Sequence, residues 1–162
     1  MKLSLEISVR SALWRGLPRA RSMARETIDA CVAETGLRAR EDAEVSLLLA
    51  DDARLRTLNA NWRGLDKPTN VLSFPASSPE RISDARLLGD IAIAYETVEQ
   101  EAESAGQALG DHYRRLVAHG FLHLVGYDHQ TDEEAERMEG LERRILARLG
   151  VRDLYGDEAL AK

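Results

Sequence analysis

The sequence predicts an α/β (α+β) fold in which about four strands form a mostly parallel or mixed sheet packed with about five helices. Apolar segments of strand length interleave along the chain with apolar patterns of helical spacing, and no glycine-rich phosphate loop follows a strand. The 162 residues, 44% hydrophobic and 31% charged, are typical of one globular domain with its own core. We expect that domain to cover residues 1–150, with residues 151–162 as a C-terminal tail.

The first predicted elements are a strand and an amphipathic helix. Residues 1–9 alternate as a strand does, and the chain has no signal-peptide pattern and no apolar run of about 18 residues. A helix is expected from Pro18 to the stop at Gly36. The single cysteine, Cys31, lies on the apolar side of that helix and is expected to be a small core residue. We therefore expect a cytoplasmic protein that binds no membrane.

A second strand and helix lead into an unusual polar segment. Residues 44–50 predict a buried strand, and Asp51 or Asp52 can cap the next helix. The apolar positions of that helix are Leu55, Leu58 and Trp62. Residues 62–75 then run from charged and turn-forming residues into a short apolar strand that ends at Pro75, which suits a strand at the edge of a sheet. Composition alone favours a plain connecting loop before that strand.

The second half of the chain is predicted to contain one more strand and three helices. Residues 87–95 predict a strand after an exposed loop at 76–86, and a polar helix is expected over 97–105. Asp111 can cap a helix that becomes nearly all apolar after Leu116, as expected for a central helix. Thr131 and Glu134 form a capping box for a last amphipathic helix that ends at Gly150.

Charge argues against a protein that coats nucleic acid non-specifically. The net charge is −6, whereas such binding depends on Lys and Arg side chains that neutralise phosphates. Residues 1–25 are nevertheless basic, with six cationic side chains and one acidic side chain, which gives six minus one, or +5. A solvated helix face and a phosphate-facing patch both fit this segment.

Three of the four histidines fall within residues 119–129, in the order His119-Gly-Phe-Leu-His123-Leu-Val-Gly126-Tyr-Asp128-His129. If residues 116–125 are helical, His119 and His123 lie one turn apart on the same face. Gly126 can adopt the positive φ that commonly ends a helix, so the chain can turn back and bring His129 to the other two. Three imidazoles with an open fourth position are typical of a catalytic zinc site.

A core role is the alternative for any single histidine in this segment. His123, between two leucines, would by itself be interpreted as a core residue, but burying three imidazoles together without a ligand would leave unpaired polar groups. Metal binding is therefore the favoured interpretation. His112, two turns before His119, is expected to be a surface residue or a residue that supports the site.

The histidine spacing also matches the metal-binding part of the metzincin proteases. Those proteases carry a glutamate base directly after the first histidine, where this chain has Gly120. Without that carboxylate the protease interpretation loses its general base. Hydrolysis of another bond remains the default chemistry of an open three-histidine site.

Three motifs resemble the YbeY family of bacterial metal-dependent endoribonucleases, which act in rRNA maturation and ribosome quality control. The first is the 119–129 stretch. The second is Arg63-Gly-Leu-Asp66-Lys-Pro-Thr-Asn70-Val-Leu-Ser-Phe-Pro75, and the third is Leu88-Gly-Asp90-Ile. The likeness extends from about residue 40 to 150, so it implies a single YbeY-like hydrolase domain. It also implies a single-strand-specific endoribonuclease that acts at the 3′ end of 16S rRNA, with rRNA, ribosomal subunits and ribosome-associated proteins as partners.

The resemblance implies roles for individual residues. It makes His119, His123 and His129 the ligands of one Zn²⁺ ion, and Arg63 the residue needed for RNA cleavage. A guanidinium suits that role because it binds phosphate oxygens in pairs and stabilises charge that grows on phosphorus. Lys67 could add a point charge. The three aspartates of the motifs are expected to orient loops or a ligand, although each could relay a proton: Asp66, Asp90 and Asp128.

The sequence leaves several points open. Water and the ribose 2′-hydroxyl are both possible nucleophiles, the general base is not identified, and imidazoles also accept nickel, copper and iron. Two other functions compete with the nuclease: a non-catalytic ribosome-assembly factor with a structural metal, and a metzincin-like metalloprotease. The oligomeric state is not predicted.

Overall fold

A computed structural model describes residues 2–152 and contains one four-stranded sheet in the order β1-β2-β4-β3. Strand β1 pairs in parallel with β2, and β2 pairs in parallel with β4, whereas the edge strand β3 is antiparallel to β4. The bounds are β1 Ser4–Val9, β2 Glu44–Ala50, β3 Val71–Pro75 and β4 Leu87–Ala94. The predicted mixed, mostly parallel sheet is confirmed, including the edge position of the strand that ends at Pro75.

Within the described residues there are five α-helices, as the sequence predicted, and two short 3₁₀ helices at 12–16 and 79–84. The bounds of the α-helices are α1 Ala20–Thr35, α2 Asp52–Arg63, α3 Tyr95–Ser104, α4 Leu109–Leu124 and α5 Asp132–Arg148. None of the described helices is long and apolar enough to cross a membrane. Met1 and residues 153–162, which include most of the predicted tail, lie outside the described residues. The division into domain and tail stays a prediction.

The sheet is covered on both faces, but unequally. Helices α1, α4 and α5 contact one another over one face, where the larger core includes Leu47, Ile91 and Phe121. Helix α2 packs on the other face over a small apolar cluster that contains Leu55 and Ala92. Helix α4 is buried along most of its length, as predicted for a central helix.

Two predictions about individual side chains were tested by this packing. Cys31 is fully buried in the larger core, so its predicted core role is confirmed. Burial raises the pKa of the Cys31 thiol, which keeps it protonated and unreactive. Trp62, predicted as an apolar packing position of α2, is instead 73% exposed, because α2 contacts the sheet mainly through Leu55.

Two predicted N-caps are confirmed, whereas three helices begin at other residues than predicted. The Asp51 side chain accepts a hydrogen bond from the Arg54 N–H, and Thr131 does the same for the Glu134 N–H. Helix α1 begins at Ala20 rather than at Pro18.

The other two helices begin earlier than the sequence predicted. Helix α3 begins at Tyr95, which was predicted to end β4. Helix α4 begins two residues before Asp111, so Asp111 lies inside its first turn and does not cap it.

Candidate metal centre and its cavity

The C-terminal end of α4 turns as the sequence predicted. The helix continues through Leu124, and Gly126 adopts a φ of 105°, a region that favours glycine. The Gly126 N–H donates to the His123 carbonyl over 3.1 Å, and the Tyr127 N–H donates to the Leu122 carbonyl over 2.9 Å. This turn reverses the chain and brings His129 back towards the helix.

The three histidines of residues 119–129 converge, and we call them the histidine cluster. The Nε2 atoms of His119 and His123 are 3.1 Å apart. The ring centroids lie 4.6 Å apart for His119 and His123, 5.1 Å for His123 and His129, and 6.2 Å for His119 and His129. Three imidazoles from one helix and its following turn therefore face a common point.

Asp128 adds a possible oxygen ligand to this cluster. One nitrogen each of His123 and His129 and an oxygen of Asp128 all lie within 4.8 Å of one another. His119 is not in this set, although its Nε2 is the atom close to the Nε2 of His123. The structure thus offers four candidate ligands, and the assignment of the metal to His119, His123 and His129 stays a prediction.

Glu142 of α5 holds the first histidine in place. Its Oε1 lies 2.5 Å from the Nδ1 of His119, and the Glu142 side chain is only 17% exposed. We assign the proton to Nδ1, since a carboxylate accepts, and this leaves the Nε2 lone pair directed at the cluster. Carboxylates commonly orient metal-binding imidazoles in this way.

Electrostatics favours the neutral form of His123. Burial, together with the neighbouring His119 and His129, lowers the pKa of His123 below its ordinary value. A neutral imidazole binds a metal and an imidazolium does not, so the lowered pKa favours binding. A donor set of imidazole nitrogens with a nearby carboxylate fits zinc.

Gly120 explains how α4 comes close enough to the sheet to position the cluster. The Ser73 hydroxyl of β3 donates to the Gly120 carbonyl over 2.8 Å. A Cβ at this position would lie 3.0 Å from the Ile91 Cγ2 and 3.2 Å from the Val71 Cγ2. Position 120 therefore packs closely against the sheet, and the chain has no carboxylate there to serve as the general base that the protease interpretation requires.

The histidine cluster opens into a cavity of about 1000 Å³ that Arg63 also lines. Arg63 is the last residue of α2 and is exposed, and the next residue, Gly64, ends the helix with a φ of 69°. Among residues 2–152 no carboxylate forms an ion pair with Arg63. Arg63 is thus available in the same cavity as the predicted metal ligands.

Of the other charged residues singled out in the sequence, Asp128 lines this cavity, but Asp66, Asp90 and Lys67 do not. Asp66 binds the Arg56 guanidinium at 2.8 and 3.3 Å, an ion pair that lowers the pKa of Asp66. Asp90 lines a separate cavity on the α2 side of the sheet. Neither Lys67 nor any basic side chain of residues 1–25 lines the histidine cavity.

Another part of the cavity wall carries a polar group that the sequence did not predict. Glu101 of α3 contacts Asn70 and His112, and we call these three residues the Glu101 cluster. His112 is 8% exposed, so the first of its two predicted roles, a surface residue, is wrong, and the second, a residue that supports the site, stays a prediction.

Sequence reasoning missed Glu142 as well. Glu142 follows Leu141 and lies one turn after Met138 on α5. Its position beside the apolar stripe of that helix could have indicated a carboxylate that faces the rest of the fold. For Asn70 and Glu101, no local pattern signals their proximity.

Comparisons with known proteins identify the family of this chain. A sequence model of the family described as "Endoribonuclease YbeY" matches residues 15–150. A Rhodopseudomonas palustris protein named endoribonuclease YbeY is 53% identical over 156 residues, covering 94% of this chain and 90% of the relative. A Methylocella silvestris protein of the same name is 47% identical, covering 96% of this chain and 87% of the relative.

A solved structure is similar in fold. The solution structure of TM1509 from Thermotoga maritima matches with a TM-score of 0.57 and 23% identity, covering 90% of this chain and 91% of that one. Fold and site define the class of α+β domains that present a histidine cluster in an open cavity. Within that class, this chain belongs to the endoribonuclease YbeY family.

Proposed function

We propose that this protein is a zinc-dependent, single-strand-specific endoribonuclease. It acts in the cytoplasm in rRNA maturation, at the 3′ end of 16S rRNA, and in ribosome quality control. The observation that carries the proposal is the presence of Arg63 in the same cavity as the histidine cluster. The names of the relatives, which are endoribonucleases, support the class of reaction.

The histidine cluster would hold one Zn²⁺ ion through His119, His123 and His129, with Asp128 close enough to contact the site. When bound, zinc supplies Lewis-acid polarisation of a phosphoryl oxygen and lowers the pKa of an oxygen nucleophile. The protein's own contribution is orientation. Glu142 fixes the ring of His119, and the lowered pKa of His123 keeps its lone pair free.

Arg63 would bind the phosphate whose ester bond is broken. Its guanidinium presents paired N–H donors that match two phosphate oxygens. As negative charge grows on those oxygens in the transition state, the same donors stabilise it. The position of Arg63 at the end of a helix, rather than within a flexible loop, helps to fix this contact.

Target choice would depend on ribosomal subunits and associated proteins. The net charge of −6 and the absence of N-terminal basic residues from the cavity wall argue against tight intrinsic RNA affinity. A protein or ribosomal partner would therefore supply part of the specificity.

The test compares purified wild type with the His123→Ala and Arg63→Ala variants on rRNA. We expect cleavage by the wild type only, and we expect Arg63→Ala to keep its zinc. Equal cleavage by all three proteins would indicate a contaminating nuclease and overturn the proposal. Retained ribosome maturation by Arg63→Ala without any cleavage would favour the assembly-factor alternative.

The ends of the products identify the nucleophile. A 2′,3′-cyclic phosphate indicates attack by the ribose 2′-hydroxyl, and a 5′-phosphate indicates attack by water.

A further inference from the structure

The Glu101 cluster joins three separate elements through hydrogen bonds and lies on the wall of the histidine cavity. Its members come from separate elements: Asn70 precedes β3, Glu101 is on α3, and His112 is in the first half of α4. The Asn70 Nδ2 donates to both carboxylate oxygens of Glu101, over 3.0 and 3.3 Å, and the His112 Nε2 lies 3.0 Å from Oε1. All three side chains line the cavity that holds the histidine cluster.

The cluster presents its carboxylate to the cavity. The Glu101 side chain is 41% exposed, whereas the His112 side chain behind it is 11% exposed. The His112 Nδ1 is buried without a hydrogen-bond partner, so the ring is held by its contact with Glu101. Oε1 already accepts two hydrogen bonds and Oε2 only the longer one from Asn70, so Oε2 keeps acceptor capacity in a side chain that lines the cavity.

The sign of the charge determines what Glu101 can contact. An ionised carboxylate accepts hydrogen bonds and repels phosphate, so in a cavity that takes RNA it would not contact the backbone phosphates. Nucleotides also carry hydrogen-bond donors: the N–H groups of the bases and the ribose 2′-hydroxyl. Glu101 is complementary to such a donor.

Spacing along α4 indicates which nucleotide is in reach. His112 and His119 are seven residues apart on one helix, which corresponds to about 10 Å at 1.5 Å per residue. Glu101, which contacts His112, is therefore too far away to form a hydrogen bond with a phosphate bound at the histidine cluster. The separation leaves room for the sugar or base of a neighbouring nucleotide.

We propose that Glu101 is a recognition residue for a nucleotide that flanks the cleaved phosphodiester, and that its carboxylate accepts a hydrogen bond from an N–H or O–H donor of that nucleotide. Asn70 and His112 are positioning residues, which hold the carboxylate in place and do not themselves contact RNA. The inference rests on the proposed function, because it needs RNA in the histidine cavity.

The test measures binding and cleavage of short fluorescently labelled oligoribonucleotides. Glu101→Gln removes the charge and keeps the size of the side chain. Glu103→Gln is the matched control, since Glu103 is exposed on the same helix and does not line the cavity. Two substrate series replace, position by position, the 2′-hydroxyl by hydrogen, or a base by an analogue without the donor, such as inosine for guanosine.

We expect Glu101→Gln to weaken binding about tenfold, with a matching rise in KM and little change in kcat, because a charge-assisted hydrogen bond is lost. One modified position should weaken binding to the wild type and to Glu103→Gln by about the same factor. That modification should have no effect on Glu101→Gln, since the bond is already gone. The substrate series that shows this pattern identifies the donor as base or ribose.

Two results would overturn the inference. Glu101→Gln could bind every substrate as tightly as the wild type does. Alternatively, its affinity could fall below that of the wild type by the same factor on every substrate, modified or not, which would mean a structural role. Zinc content and the thermal midpoint Tm of each variant distinguish the second case from unfolding. Binding is read independently of cleavage, so a wild type that binds RNA but never cleaves it would contradict the proposed function and leave this test intact.

Discussion

The histidine cluster and the Glu101 cluster line one cavity but are built in opposite ways. The histidine cluster comes from eleven consecutive residues, 119–129, so the spacing along one helix and one turn creates it. The Glu101 cluster is assembled from residues 70, 101 and 112, which only the tertiary fold brings together. The candidate metal ligands are therefore specified by one short stretch of sequence. The group proposed to recognise a neighbouring nucleotide depends instead on how α3, α4 and β3 pack.

The largest expected effect tests the local half of that comparison. His123→Ala removes the histidine that lies close to both His119 and His129. We expect it to lose zinc and to reduce cleavage by about a thousandfold or more, because an open site needs three protein ligands. Metal analysis of purified protein and a cleavage assay measure the two effects. A variant that keeps one zinc per chain would assign the site to other residues, with Asp128 as the first candidate.

Arg63→Ala should have the next largest effect and should separate cleavage from metal binding. We expect a loss of cleavage of about 10²–10³-fold, the usual cost of removing one donor to a developing oxyanion, with zinc content unchanged. Arg54→Ala is the control, because Arg54 is an exposed residue of the same helix that lines the other cavity. Equal activity of the two variants would remove Arg63 from the mechanism.

Both clusters were only partly predictable from the sequence, for a physical reason. Helical periodicity and a glycine turn are local, so the placement of His119, His123 and His129 around one point could be predicted, as could the edge strand that ends at Pro75. Glu142 and the Glu101 cluster depend on contacts between elements, which periodicity does not encode. The exposure of Trp62 was missed for the same reason, since the apolar face of α2 is narrower than its sequence suggests.

Glu142→Gln tests a contact between the histidine cluster and α5. A neutral amide orients the His119 ring less firmly than a carboxylate, so we expect zinc affinity to fall about 10–100-fold. Competition with a zinc-binding dye measures the dissociation constant. Glu136→Gln, on the exposed side of α5, should leave it unchanged. Matching affinities of the two variants would mean that Glu142 does not orient His119.

Gly120→Ala should have the smallest effect, on stability. The added methyl group would press against Ile91 and Val71, and overpacking of about 1–3 kcal/mol should exceed the helix-propensity gain of about 1 kcal/mol. We therefore expect a net loss of up to about 2 kcal/mol in the free energy of unfolding, measured with denaturant. Gly140→Ala, in an open part of α5, should instead gain about 0.5–1 kcal/mol. Similar stabilities would contradict the close packing of α4 on the sheet.

Zinc titration into metal-stripped protein tests the central claim most directly. Wild type and Arg63→Ala are freed of metal with a chelator, and bound zinc and rRNA cleavage are then measured together as zinc is added. The account predicts that both proteins bind one equivalent and that only the wild type regains cleavage, in proportion to the zinc bound. Full cleavage by the stripped wild type, or cleavage restored equally in both proteins, would contradict it.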